Sequence, residues 1–289
     1  IAWLVVALLV FIAGILFVEA WDAIRFNGWG FFTSSTWDPV KSVYGAIPAI
    51  YGTLLSSLLA LLIAVPISVG TAVFLSEIAP VWFRNIASFI IEMLAAIPSV
   101  IIGLWGLFVL VPFMRDPVQK WLGEGLGFLP FFEGPPYGFG FLSASILLSI
   151  MIIPIITSMS REVLRSVPNA QREAMFALGA TRWETISKVV LPYGRSGLVG
   201  AVILGFGRAL GETMAVTMVI GNMYNVSISL FSPGTTIPAK VASEFVESGG
   251  LSRASLIELV LVLLVITLLM NVIARLLVWR VTRGKTVKE

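Results

Sequence analysis

The sequence predicts an all-α integral membrane protein with six transmembrane helices and both termini on the cytoplasmic side. Three observations carry that class. First, the chain is 58% hydrophobic and 12% charged, where a soluble domain carries about 25% charged residues; its mean hydropathy is +0.98. Second, the apolar residues gather into six runs, 1–18, 47–76, 86–111, 139–158, 197–221 and 254–278. Each is about as long as, or longer than, the ~20 residues a helix needs to cross a ~30 Å hydrocarbon core. Lipid obliges each run to satisfy its own backbone, and the runs are too long and too evenly apolar for barrel strands of ~10 residues. Third, the basic residues fall mostly on one side of this arrangement.

The first run is followed by polar sequence without a small-residue cleavage site, so it is expected to be an anchor and not a signal peptide. The chain begins at Ile1 without Met, and a few residues are expected upstream. Residues 1–46 then comprise the first helix and an outer loop, and residues 47–289 a core of five helices. Arg84 follows the second run. The third run contains Glu92 and Pro98; the proline either opens a break whose freed backbone groups face a pore or simply kinks the helix. Glu92 either lines a path, pairs with Arg208 from a neighbouring helix, or sits as an interfacial or Ser/Thr-bonded carboxylate. The outer loop "LGEGLGFLPFFEGPPYGFG" either receives a partner or caps the interface with aromatics. In the sixth run Glu258 is expected among the headgroups, and Arg275 is expected to snorkel.

Orientation follows from the charges. Arg84, Arg161, Arg165, Arg172, Arg182, Lys188, Arg195, Arg280, Arg283, Lys285 and Lys288 share one side. Arg25, Lys41, Arg115, Lys120, Lys240 and Arg253 lie on the other among more acids. The positive-inside rule puts the basic-rich side, including the loop 161–195 and the C-terminal tail, in the cytoplasm.

Composition also narrows the chemistry. The chain has no Cys and no His, which removes thiol chemistry, disulfides and the commonest base and metal ligand. It holds no zinc-binding His-Glu-x-x-His helix and no Gly-rich Lys-Ser/Thr phosphate loop. No catalytic residue or metal site is expected, and the surroundings are lipid, not nucleic acid.

Two stretches stand out. In "NAQREAMFALGATRWETISKVVLP", residues 169–192, Pro168 ends the preceding helix and Asn169 is a suitable cap. Residues 170–178 read as a short amphipathic helix, Gly179 as its left-handed end, and a second helical stretch is expected to stop before Pro192. Such a pair of helices either lies along the membrane surface or docks into a groove of a soluble partner. In "GFGRALGETMAV", residues 205–216, Arg208 and Glu212 interrupt an apolar run. On one helix they share a face, about 16 Å along the fifth span, and each opposes insertion by ~3 kcal/mol. They are either a self-neutralising pair or a polar site on a translocation path. Gly205, Gly207, Gly211 and Gly221 offer close helix contacts. A guanidinium suits an oxyanion such as phosphate. A neighbouring carboxylate repels sulfate yet accepts a hydrogen bond from the proton that phosphate retains. Thr213 and Thr217 follow, either as further donors or bonded back to their own helix.

The loop resembles the coupling motif of ATP-binding-cassette importer permeases, carried here by Glu173, Ala174, Gly179, Val189, Leu191 and Pro192, with Met175 and Val189 departing from the usual Ala and Ile. "GRALGETMAVTMVIGN" and "LAAIPSVIIGLWG" are similar to stretches of the phosphate-specific permeases, and nearer to their PstC-type than their PstA-type subunit. This resemblance implies a type I importer permease (MetI-like) fold in a prokaryotic inner membrane. It implies a non-catalytic subunit carrying inorganic phosphate by alternating access, with Arg208 and Glu212 as substrate-contacting residues and Thr213 and Glu92 as further candidates. The implied partners are a PstA-type sister permease, two copies of a cytoplasmic ATPase that bind ATP and Mg²⁺, and a periplasmic or lipid-anchored phosphate-binding protein. The alternatives are a permease for another oxyanion (sulfate or molybdate) or the sister phosphate subunit.

Overall fold

The computed structural model describes residues 2–283; Lys285 and Lys288 of the expected tail lie outside the described residues. Among the described residues, six helical segments are long and apolar enough to cross a membrane: Val6–Phe32, Ile47–Ile78, Ser99–Leu126, Phe141–Arg165, Arg182–Gly211 and Gly250–Leu276. Helix α1 (Ala2–Asn27) outruns its expected end, with the Arg25 guanidinium lying over the Trp21 ring at 4.7 Å. A short antiparallel pair, β1 (Trp37–Asp38) and β2 (Val43–Tyr44), follows. Helix α2 (Ile47–Val73) ends in a wide turn, Phe74–Ile78.

The third span departs from expectation. Residues 86–111 do not form one helix: α3 (Val81–Ala95) stops, and α4 (Ser99–Trp105) begins a new rod. Pro98 has no N–H to continue the ladder and pushes Ile97 out of helical geometry, so the break falls there. The rod continues through wide turns into α5 (Val111–Phe113) and α6 (Lys120–Leu126). Then come α7 (Phe141–Arg165), α8 (Asn169–Ala177), α9 (Arg182–Thr185), α10 (Leu191–Gly211), α11 (Met214–Val219), α12 (Ile237–Glu244) and α13 (Gly250–Arg283).

The chain divides into two compact units. One contains the residues up to Ser57, Ser99–Leu147 and Leu210–Leu269. Its core gathers Phe31, Tyr44, Ala46, Ala49, Ile237, Leu256 and Leu259, and for those within the spans van der Waals packing, not escape from water, is what holds them together. Helix α4 lies close on α11, and a Cβ at Gly103 would stand 2.8 Å from Met218 Sδ and 2.9 Å from Ala215 Cα. The connection after α11 is tied down by backbone bonds from Gly234 N to Ile220 O at 3.0 Å and from Leu142 N to Leu230 O at 2.9 Å. Lys240, expected as an outer-loop charge, is buried. Its ammonium lies 5.1 Å from the Trp37 ring centroid and 4.7 Å from that of Tyr224, and it pairs with Glu244. Burial first, and the charge of Glu244 second, push the Tyr224 phenol above its ordinary value, and its hydroxyl donates to Gly45 O.

Glu258 overturns a second expectation. It is only 4% exposed and not among headgroups. Asn27 Nδ2 donates to its Oε2 at 2.9 Å and to Ser255 Oγ at 3.2 Å, joining α1 to α13. A carboxyl at that depth is retained because a partner 231 residues away satisfies it.

The other unit contains Leu58–Pro98, Leu148–Ala209 and the chain from Met270. Its core joins Ala72 and Val73 of α2, Leu164 and Val167 at the end of α7, and Ile186 and Val190. Ser68 Oγ donates to Ile153 O at 3.2 Å, linking α2 to α7.

Candidate functional site

Helices α9 and α10 form one rod through Pro192, so the expected stop before that proline does not occur. The intervening turn, Ile186–Val190, is wide: Leu191 N bonds Ile186 O, five residues back. The wide turn falls immediately before the proline, which has no N–H to give to the ladder. The rod therefore starts about 15 residues earlier than expected, and Arg208 stands in its last turn, where the negative end of the helix dipole favours a cation. At Gly211 the chain leaves the helix, and Thr213 Oγ1 donates to Gly211 O at 3.2 Å, satisfying one of the carbonyls left open. Thr217 bonds back to Thr213 O at 2.7 Å. Glu212 consequently lies in the break between α10 and α11, and it does not share a helical face with Arg208.

Arg208 is exposed and Glu212 half-buried, and among the described residues neither takes part in an ion pair. Arg208 lines an open groove of about 520 Å³ with Ile155, Gly200, Ile203, Leu204, Gly207 and Asn271. Apart from the guanidinium, the polar side chain facing it is the Asn271 amide. Sequence reasoning missed Asn271, although a lone amide inside the apolar run of α13 was the available signal. A Cβ at Gly207 or Gly211 would meet nothing within 4 Å, whereas one at Gly205 would stand 2.6 Å from Ile156. Gly205 packs inside the chain; Gly207 leaves the groove open.

Glu92 is not brought to Arg208. Its Oε1 accepts from Arg161 Nη2 at 3.1 Å. Arg161 is buried, with only 8% of its side chain exposed against 60% for Glu92. A buried cation needs a counter-charge, and Glu92 supplies it.

The loop after α7 presents a second surface. Pro168, not Asn169, holds the N-cap position of α8, and no side chain caps it. The helix covers 169–177, one residue earlier than expected. Gly179 has φ +82°, the left-handed end that favours glycine. A capping box starts α9: Glu184 N donates to Thr181 Oγ1 at 3.3 Å, and Thr181 N donates to Glu184 Oε2 at 2.9 Å. Helix α8 buries no side chain. Glu173 and Ala174 are exposed, as are Phe176, Leu178 and Trp183, the last two by 83% and 66%. Val189 and Leu191 are half-buried and Pro192 exposed. A short helix and turn that show large apolar groups beside a carboxylate are suited to contact another protein or to lie along a membrane surface.

Comparison with known proteins defines the class first. The family described as "Binding-protein-dependent transport system inner membrane component" matches residues 64–283, and the chain belongs to it. The fold agrees. A bacterial alginate ABC transporter, solved in complex with an alginate pentasaccharide-bound periplasmic protein, aligns with a TM-score of 0.58 at 20% identity, covering 96% of this chain and 95% of that one. The MetNI methionine ABC transporter aligns with a TM-score of 0.58 at 19% identity, covering 85% and 99%. The particular relatives are phosphate transport system permease proteins PstC. That of Haemophilus influenzae is 49% identical over 96% of this chain and 92% of its own length. A probable PstC of Methanocaldococcus jannaschii is 41% identical over 84% and 78%.

Proposed function

We propose that this chain is the PstC-type permease subunit of an ATP-driven importer of inorganic phosphate in a prokaryotic inner membrane. It supplies half of an alternating-access pathway, with residues 1–46 adding a first helix and outer loop to the core 47–289. The observation that carries the reading is the exposed guanidinium of Arg208, in no ion pair among the described residues, on an open groove at the end of α10. A cation left open at a helix end is available to a ligand, and its planar fork of donors suits an oxyanion in transit. The PstC relatives agree with that substrate.

Arg208 supplies charge-assisted hydrogen bonds to the phosphate oxygens. Glu212, in the break after α10, accepts from the phosphate proton, and Thr213 serves as a donor once its hydroxyl turns from Gly211 O to the anion. Glu92 acts through Arg161. One guanidinium does not neutralise a divalent anion, so a PstA-type sister subunit contributes further positive charge. The subunit performs no bond chemistry. Two copies of a cytoplasmic ATPase bind ATP and Mg²⁺ and receive the exposed helix α8 through Glu173, Ala174 and Gly179, with Val189, Leu191 and Pro192 at its base. A periplasmic or lipid-anchored phosphate-binding protein delivers the anion on the opposite side. The excess of Lys and Arg places the α8 loop and both termini in the cytoplasm.

The test is uptake by the complete complex in proteoliposomes with its binding protein, comparing phosphate, sulfate and molybdate. ATP-dependent uptake of phosphate is expected. Uptake of sulfate or molybdate with phosphate left outside refutes the substrate and leaves the fold class standing.

A further inference from the structure

Arg172 figured in the sequence only among the basic residues of one side, yet its guanidinium is fully bonded. Its Nε donates to Glu77 Oε2 at 3.1 Å and its Nη2 to Glu77 Oε1 at 2.8 Å, a two-pronged pair. Nη2 also donates to Leu164 O at 2.8 Å, and Nη1 to Val167 O and to Asn169 Oδ1 at 3.3 Å. These bonds use all of the five N–H groups a guanidinium has. Glu77 lies in the wide turn that ends α2, and Leu164 in the last turn of α7, where helix carbonyls lack intrahelical partners. Arg172 therefore closes the end of α7 and ties α8 to α2 at once. Both charged side chains are largely hidden, 15% and 11% exposed.

The connection matters because α8 has little else to hold it. It buries no side chain, and the chain links it directly to α7 and α9, but not to α2. We infer that Arg172 and Glu77 are positioning residues that fix the attitude of α8, so that force received by this helix reaches the Phe74–Ile78 turn and the second span as well as the fourth and fifth. The inference rests on the proposed docking of α8 into an ATPase. A lysine does not replace the arginine, since a single ammonium lacks the planar fork and serves fewer of these acceptors.

The experiment uses the complete complex in proteoliposomes with Arg172→Met, Arg172→Lys and Glu77→Gln, measuring assembly, ATP hydrolysis and phosphate uptake. The expected result is an assembled complex that still hydrolyses ATP while phosphate moved per ATP falls about tenfold in Arg172→Met and Glu77→Gln, and less in Arg172→Lys. Glu77→Gln keeps the shape at α2 and leaves α8 untouched, so it reports even when Arg172→Met does not assemble. An unchanged ratio overturns the inference. So does a parallel fall of uptake and hydrolysis, or dissociation of both Arg172→Met and Glu77→Gln complexes, because the pair is then structural only. Absence of phosphate uptake by the unmodified complex is a different failure, that of the proposed function.

Discussion

Replacing Arg208 by Ala removes the positive charge and its five N–H donors from the groove shared with Gly207 and Asn271. A hydrogen bond to a charged group is worth about 1.5–3 kcal/mol, and the open groove admits water, which weakens it. A net loss of about 2–3 kcal/mol in the loaded state is expected, a fall in phosphate uptake of roughly 30- to 140-fold. Arg208 makes no ion pair among the described residues, so stability should move by no more than about 0.5 kcal/mol. Arg208→Lys should fall between, keeping charge but losing the fork. The assay is the initial rate of labelled phosphate uptake into proteoliposomes, with thermal unfolding in detergent run beside it. Uptake by the alanine variant within about threefold of the unmodified complex, a difference under ~0.7 kcal/mol, refutes the assignment. So does a large loss of stability, since the residue would then serve packing.

Other substitutions test neighbouring parts. Asn271→Leu removes the amide from the groove and makes α13 more apolar; uptake should slow about tenfold with no loss of thermal stability. Glu212→Gln should narrow the preference for phosphate over sulfate in competition uptake, and an unchanged preference removes Glu212 from selectivity. Gly103→Val forces new atoms against Met218 and Ala215 and should cost about 1–3 kcal/mol in detergent unfolding, whereas Gly207→Ala, with open space, should be near neutral. Asn27→Leu withdraws the donor from the buried Glu258 carboxyl and should cost about 1–3 kcal/mol. Adding Glu258→Leu should recover much of that loss in the same measurement.

What was legible in the sequence was local. The short helix after Pro168 and the left-handed Gly179 each follow from one residue's backbone chemistry, and the structure has both; Pro98 marked an irregularity, but whether it broke or only kinked the third run was open. The spans were legible as composition, less so as boundaries. Pro192 read as a stop because the wide turn before it leaves no residue-type signature. The same shift moved Arg208 to a helix end and put Glu212 in the break. Partners distant along the chain were invisible: Glu77 for Arg172, Arg161 for Glu92 and Asn27 for Glu258 are 95, 69 and 231 residues away. Periodicity speaks of the face a side chain occupies and is silent about who waits there. Asn271 was overlooked for a simpler reason, since an amide carries no charge to draw notice.

Leu178 and Trp183 stand almost bare beside a polar helix. A newly made copy that reaches the bilayer before its cover displays two large greasy groups to water, the kind of patch that drives sticking and invites clearance. Synthesis out of step with that cover would therefore show first as lost chain, well before any defect in transport could be measured.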